Sequence, residues 1–295
     1  MAENPYQHAP VMPGQVLDYL NLPPDGTFVD CTLGGGGHVE AVLRTLTPVP
    51  SPKGRGVKVY AFDQDENAIA AAKERLAAFA GITYLHDNFA NLKAVPEQVD
   101  GILFDLGVSS PQIDRPDRGF SLQHDGPLDM RMDRRQGLSA KEIVNNFAPE
   151  ELTRIFFDYG EERFSRRIAK RIADAREEKQ IETTFQLKEI IEAATPGWKK
   201  RETVTRIFQA LRIAVNGELE KLQCALESAA ALLKPGGRLV VLSYHSLEDR
   251  IVKHFLRERS EFFKVLTKKP VLASEAEIAA NPRARSAKLR AGLKL

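Results

Sequence analysis

The chain has 295 residues, with 42 lysines and arginines against 40 acids and a formal net charge of +2. That length holds a full α/β core and leaves room for a second domain. The near-neutral balance does not mark a nucleic-acid binder, and two distant cysteines, Cys31 and Cys224, exclude a disulfide framework and a CxxC zinc site. No apolar run approaches the roughly 20 residues of a bilayer span, and the start MAENPYQHAP lacks an apolar signal core. A cytoplasmic protein without membrane contact is the expectation.

The first predicted strand covers residues 27–31 and closes on Asp30-Cys31. Four glycines, Gly34 to Gly37, follow at once, ahead of His38 and a helical pattern. Strand, Gly-rich turn and helix together let backbone N–H groups approach a nucleotide-like ligand closely. A Walker A loop is excluded, since His38-Val39-Glu40 stands where Gly-Lys-Ser/Thr is needed. The fingerprint G-x-G-x-x-G fails as well: its last position is Val39 counted from Gly34 and Glu40 counted from Gly35. What remains is an acid at the strand end with glycines four and six positions later, Asp30, Gly34 and Gly36. That is the pattern of S-adenosylmethionine loops, where backbone packs against the amino-acid part of the cofactor.

Residues 47–56, TPVPSPKGRG, read as a short Pro/Gly loop before a second strand at 57–63. Asp63 ends that strand, where a carboxylate can take both ribose hydroxyls; NAD enzymes share this placement. A helix over 66–79 and a third strand at 82–86 complete a βαβ rhythm, which predicts a parallel sheet with helices on both faces. Phe89, in LHDNF after the third strand, can cover an adenine. The fourth strand, 101–106, delivers Asp105 past its carboxyl end, where open α/β sheets bind ligands. Amino-methyltransferases often place Asp/Asn/Ser-Pro-Pro-aromatic here to accept hydrogen bonds from a substrate NH₂. Asp105-Leu106-Gly107-Val108 keeps the acceptor and lacks the rest.

From 139 to 195 strands vanish into charged amphipathic helices, so a helical domain over 113–206 is expected as an insert between 1–112 and 207–295. LLKPGGRLVVLSYHS, 232–246, predicts a helix, a Pro-Gly-Gly turn and a fifth strand at 237–244. Basic clusters occur at Arg131, Arg134 and Arg135, at Arg163, Arg166, Arg167, Lys170 and Arg171, and at Lys199, Lys200 and Arg201. The tail 281–295 adds Arg283, Arg285, Lys288, Arg290 and Lys294 with no acid. Each cluster reads equally as phosphate contact or as a solvated face.

The whole chain resembles the bacterial small-subunit ribosomal RNA cytosine methyltransferases known as RsmH or MraW. The resemblance rests on HAPV at His8, DCTLGGGGH at Asp30, DGILFDLGVSSPQID at Asp100, RGFSLQHDGPLDMRMD at Arg118, YGEERFSRRIA at Tyr159, FQALRIAVNGELE at Phe208, GGRLVVLSYHSLEDRIVK at Gly236 and NPRARSAKLR at Asn281. It implies an α/β class I S-adenosylmethionine methyltransferase, Rossmann-like and mostly parallel, with an inserted helical domain. It also implies that Gly36, Gly37, His38, Asp63, Phe89, Asp105 and Gln112 contact the cofactor, and that the exocyclic amine of a decoding-site cytosine in 16S RNA is methylated. The RNA, free or within an assembling small subunit, is then the partner. The oligomeric state stays open, a homodimer included. Glu202-Thr203 stands where the family has His-Pro, and Tyr244 replaces a Phe.

For the chemistry, Asp105 is the expected hydrogen-bond acceptor near the amine, with Ser109, Ser110 and His245 behind it. No covalent nucleophile and no metal ligand set is nominated. The inserted domain and the Arg-rich tail form the expected RNA grip, on a base that is unstacked or already single-stranded. A protein or small-molecule acceptor, and a non-catalytic RNA-binding factor, are the competing readings.

Overall fold

The structure, a computed structural model, describes residues 9–46 and 56–295. The loop expected at 47–56 lies outside them except for Gly56, as does His8 of HAPV. In chain order the elements are α1 (Pro13–Leu20), β1 (Thr27–Asp30), α2 (Gly37–Leu46), β2 (Lys58–Asp63), α3 (Glu66–Arg75), β3 (Ile82–His86) and β4 (Val99–Asp105). Six helices follow: α4 (Ser110–Asp114), α5 (Ala140–Asn146), α6 (Pro149–Asp158), α7 (Ser165–Glu178), α8 (Thr184–Ala193) and α9 (Lys200–Asn216). Last come α10 (Glu218–Leu232), β5 (Leu233–Ser243), α11 (Ser246–Glu258), β6 (Phe263–Val265), β7 (Val271–Leu272), α12 (Glu275–Ala280) and β8 (Lys288–Lys294).

Two compact units result, one from Met1–Gly107 with Leu219–Leu295, the other Val108–Glu218. The second therefore starts earlier and ends later than the 113–206 expected. The chain turns at Gly107, φ +92°, directly after β4. At the far end α9 continues unbroken to Asn216 and stops at Gly217, whose left-handed φ of +58° closes the helix.

The first unit is an eight-stranded sheet of order β3-β2-β1-β4-β5-β8-β6, with β7 beside β8. β1 to β5 are parallel, and β8 runs antiparallel to β5, β6 and β7. Strands covered on both faces must be apolar at successive positions. Accordingly Leu103 and Val240 join one buried layer with Val39, Val42 and Leu289, while their neighbours Phe104 and Val241 join the opposite layer with Phe62, Leu226 and Val252. The strand order reverses between β1 and β4, which opens a crevice at their carboxyl ends.

Two expectations change. β5 begins at Leu233 instead of 237, because Leu233 already pairs with Val99; Pro235-Gly236-Gly237 is an irregularity inside the strand, with Gly236 at φ +82°. The tail, expected as an RNA grip, supplies β8, and Arg290 within it is buried.

The helical unit has its own core of Ile143, Leu152, Phe156, Ile168, Ile172, Leu187, Ile191, Ile207 and Leu211. Capping boxes at Ser139 with Glu142 and Thr183 with Gln186 start α5 and α8. The long word at Arg118 is tied together by hydrogen bonds around the buried Arg118. Arg118 donates through Nη2 to the carbonyls of Arg131 and Met132, each at 3.1 Å. Asn216 accepts from Met132 N–H at 2.8 Å and donates to Met130 O at 2.9 Å. Gly126 passes so close to Pro116 that a Cβ would lie 1.9 Å from its carbonyl oxygen. Among the described residues, no helix is long and apolar enough to cross a membrane.

Candidate functional site

The carboxyl ends of β1, β2 and β4 bring Asp30, Asp63 and Asp105 to the crevice of the sheet unit. Asp63 clasps the glycine turn: its Oδ2 accepts Gly34 N–H and its Oδ1 accepts Asp65 N–H, both at 2.8 Å. Gly36 has φ +78°, and a Cβ there would stand 3.0 Å from Leu76 Cδ1 and 3.3 Å from Ala72 Cβ. Close packing on α3 and a left-handed backbone both require glycine at this position. Gly37 starts α2 and puts His38 in its first turn, buried.

Thr32, absent from the sequence reading, links two of the acids. Its N–H donates to Asp30 Oδ1 at 2.9 Å, and its Oγ1 accepts Asp105 N–H at 2.7 Å. Tyr244 is the second omission: its hydroxyl donates to Asp105 Oδ1 at 2.6 Å. The visible signal was the replacement of a family Phe, but the acceptor lies 139 positions away. Asp105 Oδ2 lies 3.4 Å from His38 Nε2, an approach that is electrostatic more than hydrogen-bonded.

Burial pushes the carboxyls of Asp30 and Asp63 up to about 6. His38 is depressed by burial, yet contact with Asp105 and the charge of Asp30 outweigh that and hold its pKa above the usual value. Tyr244 is pushed well up by burial and by the Asp105 charge, so it stays a donor. Cys31, buried beside Asp30, has its thiol held protonated by burial.

Phe89 follows β3 and packs edge-on against Phe104, with centroids 5.5 Å apart. His245 is the N-cap of α11: its Nδ1 accepts Glu248 N–H at 3.4 Å and its Nε2 lies 3.2 Å from Glu248 Oε1. Ser109, Ser110 and Gln112 belong to the helical unit. There Gln112 is buried and its Oε1 accepts Ser109 N–H at 3.1 Å, while Ser110 opens α4.

A parallel sheet of this order, with one antiparallel strand slotted between β5 and β6 and a glycine turn after β1, defines a class I S-adenosylmethionine-dependent methyltransferase. The residues present fit that cofactor, a cation at its sulfonium and ammonium groups. Three carboxylates converge, and Asp30 Oδ2 and His38 Nδ1 are buried with no hydrogen-bond partner. The chain belongs to the MraW methylase family, whose sequence model matches residues 5–294.

Among solved structures, the chain is similar to an rRNA methylase from Streptococcus thermophilus, at 15% identity over 100% of this chain and 99% of that one, TM-score 0.46. It is also similar to a candidate rRNA-methylase from Clostridium thermocellum, at 16% identity over 98% and 100%, TM-score 0.49. A third is the N-methyltransferase NodS from Bradyrhizobium japonicum WM9 in complex with S-adenosyl-L-homocysteine, at 10% identity over 99% and 93%, TM-score 0.42.

Proposed function

We propose that this methyltransferase acts on the exocyclic amine of a cytosine in small-subunit ribosomal RNA, at the decoding site, with Asp105 as the acceptor that orients the amine. One observation carries the reading: Asp105 closes β4 at the crevice with its carboxylate held by the Tyr244 hydroxyl and its backbone N–H by Thr32 Oγ1. Membership of the MraW family and the long matching words support the RNA acceptor.

S-adenosylmethionine supplies an electrophilic methyl group on its sulfonium. The chain's task is to hold the amine in line with that methyl and to accept its N–H hydrogens. A cytosine amine has its lone pair delocalised into the ring, so it needs this alignment more than an alkylamine would. Fixing two reactants at about 3 to 3.5 Å contributes roughly 7 to 11 kcal/mol in favourable cases. Gly34, Gly36, Gly37, His38, Asp30, Asp63, Phe89 and Gln112 are assigned to the cofactor, with Phe89 over the adenine and Asp63 at the ribose. Ser109, Ser110 and His245 remain secondary candidates near the substrate. The helical unit is assigned to substrate recognition.

The test is methyl transfer from labelled S-adenosylmethionine to unmethylated small subunits and, separately, to their naked RNA. Label on the cytosine exocyclic amine is the expected product. Cofactor turnover with label only on protein would replace the acceptor.

The acid cluster also sets a pH dependence. A cationic ligand favours ionised carboxylates, so cofactor affinity is expected to be flat above about pH 7. It should weaken as Asp30 and Asp63 protonate through about 6. Protonation of His38 acts in the same direction. Calorimetric titration across pH checks this, and Asp63→Asn should flatten the profile by about one proton.

A further inference from the structure

The basic clusters differ in what neutralises them. Arg131, Arg134 and Arg135 are paired with Asp129, Asp117 and Asp133 at 2.7, 3.1 and 2.8 Å. Arg290 is taken by Asp249. Arg163, Arg166, Arg167, Lys170 and Arg171 are all exposed and form no ion pair among the described residues. Arg166, Arg167, Lys170 and Arg171 share one face of α7, with Arg163 in the turn just before the helix, while Ile168, Ala169 and Ile172 bury the other face. Within the helix the stripe runs about 8 Å along the axis.

At the start of this stripe is a cavity of about 310 Å³ within the helical unit, lined by Arg163 and Phe164 on one side and Trp198 on the other. Trp198 sits on the short turn Gly197–Lys199 and is 82% exposed, the most exposed of the large apolar side chains described. Its ring carries Lys199 Nζ 5.0 Å from the centroid. Two acids also line the cavity: Glu162 is buried and accepts Phe164 N–H at 2.9 Å, and Glu161 is exposed; of the lining cations, Lys199 and Arg206 both pair with Glu202, at 3.1 and 2.5 Å. Among the described residues, Arg163 is the lining cation that forms no ion pair.

We propose that Trp198 is a stacking platform for an unpaired nucleotide of the RNA substrate, and that the α7 stripe beginning at Arg163 follows the adjoining phosphates. An aromatic face beside a row of unneutralised cations is complementary to single-stranded RNA, which offers a π-face at every base and a charge at every phosphate. A duplex hides its base faces, and an acidic protein offers none. The assignment rests on the reading of RNA as methyl acceptor and adds a contact made by residues outside the acid cluster.

Trp198 is the sole tryptophan of the chain, so its emission reports this cavity alone. The full-length protein is titrated with a short unpaired oligoribonucleotide, with the same sequence as a duplex, and with polyglutamate. The single strand is expected to quench the emission and the other two to leave it unchanged. Trp198→Ala, at an exposed position, should weaken single-strand binding roughly 5- to 150-fold with cofactor affinity unchanged. Trp198→Phe should recover most of the loss. Removing stripe arginines should lower the salt slope by roughly 0.7 per cation. RNA binding without quenching, equal quenching by the duplex, wild-type affinity in Trp198→Ala, or quenching by polyglutamate in place of RNA each overturns the platform. Methyl transfer measured on the same samples separates the two readings. Methylated RNA without a tryptophan response sinks the platform alone, whereas quenching without methylated RNA sinks the acceptor and leaves the binding surface standing.

Discussion

Asp105→Asn is expected to lower the rate of methyl transfer about 10²- to 10³-fold while shifting cofactor affinity by less than about tenfold. The substitution keeps the shape and the backbone N–H bond to Thr32 Oγ1. It removes the charge that faces His38 and turns one acceptor into an NH₂ donor. The Tyr244 hydroxyl then competes for the single amide oxygen, which leaves a substrate amine facing like donors. Tyr244→Phe should cost less, about tenfold, since the carboxylate remains and only its support is lost. The double variant should be no slower than Asp105→Asn alone, because both act through one group. Single-turnover methyl transfer beside equilibrium cofactor binding checks all three. Near-normal turnover in Asp105→Asn would remove the residue from the reaction.

The second large effect is on stability. Arg290→Ala is expected to destabilise the sheet unit by about 3 to 5 kcal/mol, a large part of a typical 5 to 15 kcal/mol total, roughly. Arg290 is in β8, and its guanidinium meets the Asp249 carboxylate of α11 through Nε at 2.6 Å and Nη2 at 3.2 Å. Truncation leaves that carboxylate sheltered and unpaired. Replacing both partners by apolar residues of similar volume should recover much of the loss, as the desolvated charge goes with its counterion. Chemical denaturation of the two variants distinguishes these outcomes; equal stability of Arg290→Ala and the parent chain would mean the pair contributes nothing.

The same arginine marks where the sequence stopped being legible. β1, β2 and β4 are compact apolar runs ending in acids, and such runs announce buried parallel strands without help from partners. Lys288-Leu289-Arg290-Ala291-Gly292-Leu293-Lys294 reads instead as a basic tail, because nothing local tells that Asp249, 41 positions earlier, neutralises Arg290. The acid cluster divides in the same way. Asp30, Asp63 and Asp105 were identifiable as strand-end carboxylates. That Asp63 spends both oxygens on backbone N–H groups, or that Tyr244 reaches Asp105, depends on contacts between distant segments. For the cations, spacing exposed the α7 stripe, but only the pairing of Arg131, Arg134 and Arg135 with acids set it apart from that cluster.

The slot that β8 fills has a consequence for biosynthesis. β5 and β6 are joined in the sheet only through a strand that follows them both in the chain. While residues up to about 287 emerge, β5 presents a long row of unpaired N–H and C=O groups beside apolar Val240 and Val241. Open edges of this kind are templates for pairing with other chains, and nascent chains expose them longest when the closing contact is non-local. Until β8 is made, that edge of β5 has no partner strand within the chain.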